Sequence, residues 1–134
     1  MVYDDGKIKS DLNYKNSNLD GSGIEYYQNG NVKSKQNFNF GYLEGENINY
    51  FENGKIQNIV YYDKEGKKDG ISKSFYENGI LWTEQHYEEN KLEGKTKIYK
   101  KDGSLWYIET YKNDTLINSK EYSDKGEVIS EKSF

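Results

Sequence analysis

The chain has 134 residues, the length of one domain, with 33% hydrophobic residues of which nearly half are aromatic. It carries 14 Tyr, 15 Asn and 13 Gly but no Pro and no Cys, and its formal net charge is -4. That balance excludes a helical aliphatic core, argues against disorder because disordered chains lack aromatics, and argues against a nucleic-acid binder, which needs a basic patch.

Reading from the N-terminus, one seven-residue pattern returns six times: VYDDGKI from Val2, YYQNGNV from Tyr26, YFENGKI from Tyr50, FYENGIL from Phe75, YKKDGSL from Tyr99 and YSDKGEV from Tyr122. The turn glycines, Gly6, Gly30, Gly54, Gly79, Gly103 and Gly126, lie 23 to 25 residues apart. Two residues after each stands an aliphatic (Ile8, Val32, Ile56, Leu81, Leu105, Val128), and eight after each an aromatic (Tyr14, Phe38, Tyr62, Tyr87, Tyr111, Phe134). An opening glycine precedes four of the turns at Gly21, Gly45, Gly70 and Gly94, and Asn118 is expected to replace it in the last unit. The chain therefore divides into a partial unit 1–20, units 21–44, 45–69, 70–93 and 94–117, and a terminal unit 118–134, all within one repeat domain.

Each unit reads as two short strands and two turns. The x-Asn/Asp-Gly segment suits a three-residue loop with glycine in a left-handed bulge, which pairs Phe51 with Lys55 and Tyr50 with Ile56. The second turn, in Tyr87–Leu92, suits a two-residue loop that pairs Tyr87 with Leu92 and puts Ser17, Gly41, Asn90 and Asp114 at positive φ; Gly66 serves the longer 63–69 segment. Stacking such hairpins predicts an all-β fold, an elongated single-layer antiparallel β-meander of tandem repeats of about 24 residues, with about 11 strands.

Alternation along the strands then predicts two faces. One carries Tyr26, Tyr50, Phe75, Tyr99 and Tyr122 with the aliphatics, the terminal aromatics and Leu19, Leu43, Leu92 and Leu116. The other places Lys33, Gln57, Trp82, Trp106 and Ile129 in one column, with Ile59, Tyr61 and Ile108 adding apolar area, and Tyr107 on the side away from Trp106.

Segments such as LEGENINYFENGKI (Leu43 to Ile56) and LEGKTKIYKKDGSL (Leu92 to Leu105) resemble the variant MORN repeat common in bacterial proteins. Gly45, Tyr50, Phe51, Asn53, Gly54, Ile56 and Tyr62 match that pattern in order, as do Gly70, Phe75, Tyr76, Asn78, Gly79, Leu81 and Tyr87. The resemblance implies a scaffold, in some relatives associated with membranes or surfaces, and in many bacterial ones labelled antitoxin-like. The terminal unit departs most, with Ser123 and Lys125 off the pattern, as a cap would.

Residue chemistry points away from catalysis. His86 is the single histidine and, with no cysteine, cannot build a zinc site. The carboxylates concentrate at turns, no EF-hand loop occurs, and no glycine belongs to a phosphate-binding loop. No cofactor is expected, and the chain reads as a non-enzyme. Trp82, Trp106, Ile108, Ile59 and Tyr61 form the candidate binding surface, the rings serving either a partner or a second packed layer. The leading reading is a scaffold for protein–protein interaction. Its alternatives are a carbohydrate or cell-envelope binding module, an immunity-type protein binder, or self-association. No stretch is apolar enough for a transmembrane helix, and the start MVYDDGKIKS lacks a signal peptide, leaving cytoplasm or, if a leader precedes Met1, the cell envelope.

Overall fold

The computed structural model describes Met1–Phe134, contains no helix, and folds as an antiparallel meander of 13 strands. Contacts group the chain into two compact units, Met1–Lys67 and Lys68–Phe134. The first holds β1 (Ser10–Lys15), β2 (Asn18–Tyr26), β3 (Val32–Asn39), β4 (Tyr42–Leu43), β5 (Gly45–Tyr50) and β6 (Ile56–Tyr62). Its sheet order is β1-β2-β3-β5-β6, with the short β4 paired to β3. The second holds β7 (Gly70–Phe75), β8 (Leu81–Glu88), β9 (Lys91–Leu92), β10 (Gly94–Tyr99), β11 (Leu105–Lys112), β12 (Thr115–Tyr122) and β13 (Val128–Ser133). Its order is β7-β8-β10-β11-β12-β13, with β9 on β8. The count exceeds the expected 11 because β4 and β9 are two-residue strands split off by bulges.

The turns follow the sequence reading. The Phe51 amide donates to Lys55 O at 2.8 Å and the Gly54 amide to Phe51 O at 3.0 Å, while Tyr50 pairs with Ile56. Gly54 sits at φ +88, where a side chain would be strained. The Asn53 side chain secures this geometry, since its Oδ1 accepts the Lys55 amide at 2.9 Å. Tyr87 pairs with Leu92 as expected, and both loop residues are left-handed, Glu89 at φ 47 and Asn90 at φ 70. Gly66 is left-handed at φ 78, within a turn of the Asn-Gly type, because the Asp63 amide donates to Lys67 O and the Gly66 amide to Asp63 O.

The opening glycines serve a bulge. Phe38 pairs with Leu43 and Lys35 with Ile48, so the β4–β5 side carries two residues more than β3 over that stretch, and Gly45 turns through φ 75. Asn118 does not take this role. Thr110 pairs with Asn118 and Tyr111 with Leu116, leaving only Ile117 extra, and Asn118 is absent from the left-handed residues. The last unit is one residue shorter there, so β12 runs uninterrupted and needs no glycine.

The expected division of faces is corrected by a second bulge, just after each Asn/Asp-Gly turn. Tyr50 pairs with Ile56 but Asn49 with Asn58, which inserts Gln57 and breaks the alternation. In each unit the first aromatics (Tyr26 and Tyr50; Phe75, Tyr99 and Tyr122) keep their aliphatic partners on one face, here the back. The terminal aromatics and their leucines (Phe38 with Leu43; Tyr87 with Leu92) lie on the other, the front. Neither face of a single-layer sheet has a second layer, and no apolar side chain is fully buried. The best-covered groups are small and polar: Ser34, Asn47, Ser72 and Thr96. Gly23 lies on the same face, paired with Gln36, and a Cβ there would meet Leu12 Cδ2 at 2.9 Å and Phe38 Cε2 at 3.2 Å. Leu12 and Phe38 thus fill the space a side chain would need at Gly23.

Candidate functional site

The repeats are joined by a hydrogen bond that one hairpin cannot reveal. The second aromatic of the pattern donates its hydroxyl to the carbonyl of the first aromatic one repeat on: Tyr3 to Tyr26 O, Tyr27 to Tyr50 O and Tyr76 to Tyr99 O, each at 2.6 Å. Where the pattern has Lys100, its Nζ instead reaches Asp124 at 2.9 Å, a bond that raises the lysine's pKa. The turns are joined in the same way, Asn29 Nδ2 donating to Glu52 O at 3.1 Å and Asn78 Nδ2 to Lys101 O at 3.0 Å. Sequence reasoning missed this ladder; the signal was the recurrence of Tyr three residues before the turn glycine.

Trp82 and Trp106 are the extra residues of the post-turn bulge, since Phe75 pairs with Leu81 and Ser74 with Thr83, then Tyr99 with Leu105 and Ile98 with Tyr107. Neighbouring residues of a bulge turn toward the same side. Accordingly the Trp106 and Tyr107 rings are 5.1 Å apart, and Trp106 Nε1 donates to Glu121 Oε2 at 3.4 Å, the residue paired with Tyr107. Trp106 thus shares the front face with Tyr107, and Ile108 lies on the back, the reverse of the alternation expected from sequence.

Each tryptophan is also packed on its own turn. Trp82 stacks at 5.6 Å on Tyr76, while Lys100 Nζ lies 5.6 Å from the Trp106 ring centre. Lys9 over Tyr3 and Lys33 over Tyr27, at 5.6 and 5.8 Å, make the same contact in the first unit with ring and cation exchanged. Such contacts contribute about 0.5–1 kcal/mol each at exposed sites. The indoles remain 46% and 37% exposed, so part of each is free for a partner. Beside Trp106, desolvation and the charges of Glu121 and Glu109 raise the Tyr107 phenol pKa.

In the first unit Ile59 pairs with Ile48, and Tyr61 with Glu46, on the back face with Tyr50. The Tyr61 hydroxyl donates to Glu46 Oε2 at 2.8 Å, and that bond raises its pKa. The candidate residues are therefore not one surface: within the second unit the tryptophans and Ile108 face opposite sides. His86 pairs with Ile71 and its Nδ1 lies 3.0 Å from Glu93 O, so the ring is held against a backbone carbonyl rather than a carboxylate. No helix is long and apolar enough to cross a membrane.

The family profile described as MORN repeat variant matches residues 1–16, 19–39, 43–64, 68–89 and 92–113. The segment after Thr115, where the pattern departs most, lies outside those matches. No curated protein matches the chain. The repeat type is non-enzymatic and supports scaffolds that engage proteins or membrane lipids.

Proposed function

This chain belongs to the variant MORN repeat family, and from that premise we propose that it is a non-catalytic scaffold that binds another protein through the faces of its sheet. One observation carries the reading. No apolar side chain is fully buried, yet Tyr61, Ile71, Trp82 and Ile129 each leave 40% or more of their surface in water. Apolar area held open on a rigid sheet is the usual substrate of protein recognition, where a few aromatic anchors dominate the affinity. Trp82 and Trp106 are the proposed anchors on the front face, with Ile108 on the back and Ile59 and Tyr61 in the first unit. The carbohydrate reading ranks behind, because a sugar needs a free ring face, and Trp106 has Lys100 over its ring and Tyr107 beside it.

The test is affinity capture from the source cell with the wild type, Trp82→Ala/Trp106→Ala and Ile108→Asp as baits. A captured protein is then purified and its affinity for each bait measured. Saturable binding lost in one folded variant and kept in the other supports the reading and identifies the face. Absence of any protein that binds saturably once purified overturns it.

A further inference from the structure

Positions that recur in every repeat build the fold, so the rows that vary are free to select a partner. On the back face of the second unit the strand pairing aligns Lys73, Glu84, Lys97, Ile108, Lys120 and Glu131 in one row across β7, β8, β10, β11, β12 and β13. The corresponding row of the first unit is Asp11, Ile24, Lys35, Ile48 and Ile59, mostly apolar. In the second unit Lys120 and Glu131 are 4.0 Å apart, while Lys73 and Lys97 make no ion pair. Ile108 stands where a carboxylate would balance Lys97 and Lys120. Two residues along β7, β10 and β12, and three along β8, β11 and β13 where the bulge adds one, runs a parallel apolar band made by the pairs Phe75–Leu81, Tyr99–Leu105 and Tyr122–Val128.

From this juxtaposition we propose that the back face of the second unit receives an acidic amphipathic helix lying across the strands, its apolar stripe on the aromatic band and its carboxylates against Lys73, Lys97 and Lys120. The inference rests on the protein-binding reading above and names the partner's chemistry. A helix suits the surface because it satisfies its own backbone and needs only side chains beneath it, whereas an extended strand needs a free sheet edge. The spacing also fits: aromatics and lysines recur every two strands, about 9.6 Å, and a helix repeats its face every seven residues, about 10.5 Å. Glu84 and Glu131 within the row disfavour a uniformly anionic surface such as a lipid bilayer, which they would repel.

The experiment titrates the whole protein against a synthetic three-heptad helical peptide with a leucine stripe flanked by glutamates, read by fluorescence anisotropy. A peptide with lysines in place of the glutamates and vesicles of phosphatidylglycerol and phosphatidylcholine are the comparison arms. The acidic peptide should bind best, and Lys97→Glu/Lys120→Glu should weaken it by roughly tenfold or more. Ile108→Asp should also weaken it, and the lysine variant, whose substitutions are at the surface, keeps the test decisive if that protein unfolds. Equal binding of the lysine peptide, indifference to the lysine reversals, or binding to vesicles alone would each overturn the proposal. A saturable partner that is captured by the wild type but does not compete with the acidic peptide would overturn it while leaving the protein-binding reading intact.

Discussion

Replacing Tyr76 by Phe tests the inter-repeat ladder. The change removes one oxygen, and with it the 2.6 Å bond to Tyr99 O in a partly buried setting. Phe51 occupies the same place in another repeat, so the ring alone fits and no clash enters the comparison. A net hydrogen bond contributes about 1 kcal/mol, and the carbonyl left behind raises the expected loss to about 1–2 kcal/mol. For a chain of this length the unfolding entropy is roughly 0.3 kcal/mol per kelvin, so Tm should fall by about 3–7 °C. The control is Tyr61→Phe, which removes a hydroxyl bond of 2.8 Å to Glu46 on an exposed side chain and should change stability by less than about 0.5 kcal/mol. Both variants would be unfolded in urea and by heat, followed by circular dichroism. Equal, small losses would refute the reasoning, because the bond between repeats would then contribute no more than a surface contact.

Phe40 holds φ 48 although it is exposed, while equivalent loop positions carry Asn16 and Asn113; Phe40→Asn should therefore raise stability by about 0.5–1 kcal/mol in urea titrations, and a loss would mean the ring packs. Gly54→Ala should cost about 1–2 kcal/mol from left-handed strain, and Gly23→Ala less, since the atom crowding it most is a movable Leu12 methyl; a reversed order in the same titrations would contradict the bulged turn. The Tyr107 and Tyr111 phenols have raised pKa values, desolvation being the first cause in both, followed by Glu121 for Tyr107 and Glu109 for Tyr111. A raised folded pKa leaves their contribution intact below the unfolded value near about 10 and removes it as pH climbs through the folded one. Tm measured across the alkaline limb should thus fall less steeply for Tyr107→Phe/Tyr111→Phe than for the wild type, and parallel curves would argue against the shifts.

The repeat period, the two turn types and the pairing of Tyr50 with Ile56 and Tyr87 with Leu92 were all readable from sequence. Each depends on residues close in the chain: an Asn or Asp that caps a turn, a glycine at positive φ, and a fixed count between them. Which face each side chain occupies was not readable in the same way. Strand alternation assigns sides by parity, and one inserted residue such as Gln57, Trp82 or Trp106 resets it, so Trp106 joined Tyr107 and the terminal aromatics left the face of Tyr50. The sequence shows that a glycine turn is present, but the pairing across strands decides where the surplus residue is absorbed. Tertiary structure alone likewise assigned the second tyrosine its role, because its acceptor lies a repeat away and exists only once the next hairpin is in place. Local geometry is encoded by neighbours in sequence; the side a residue faces and the group it bonds depend on strands brought together by folding.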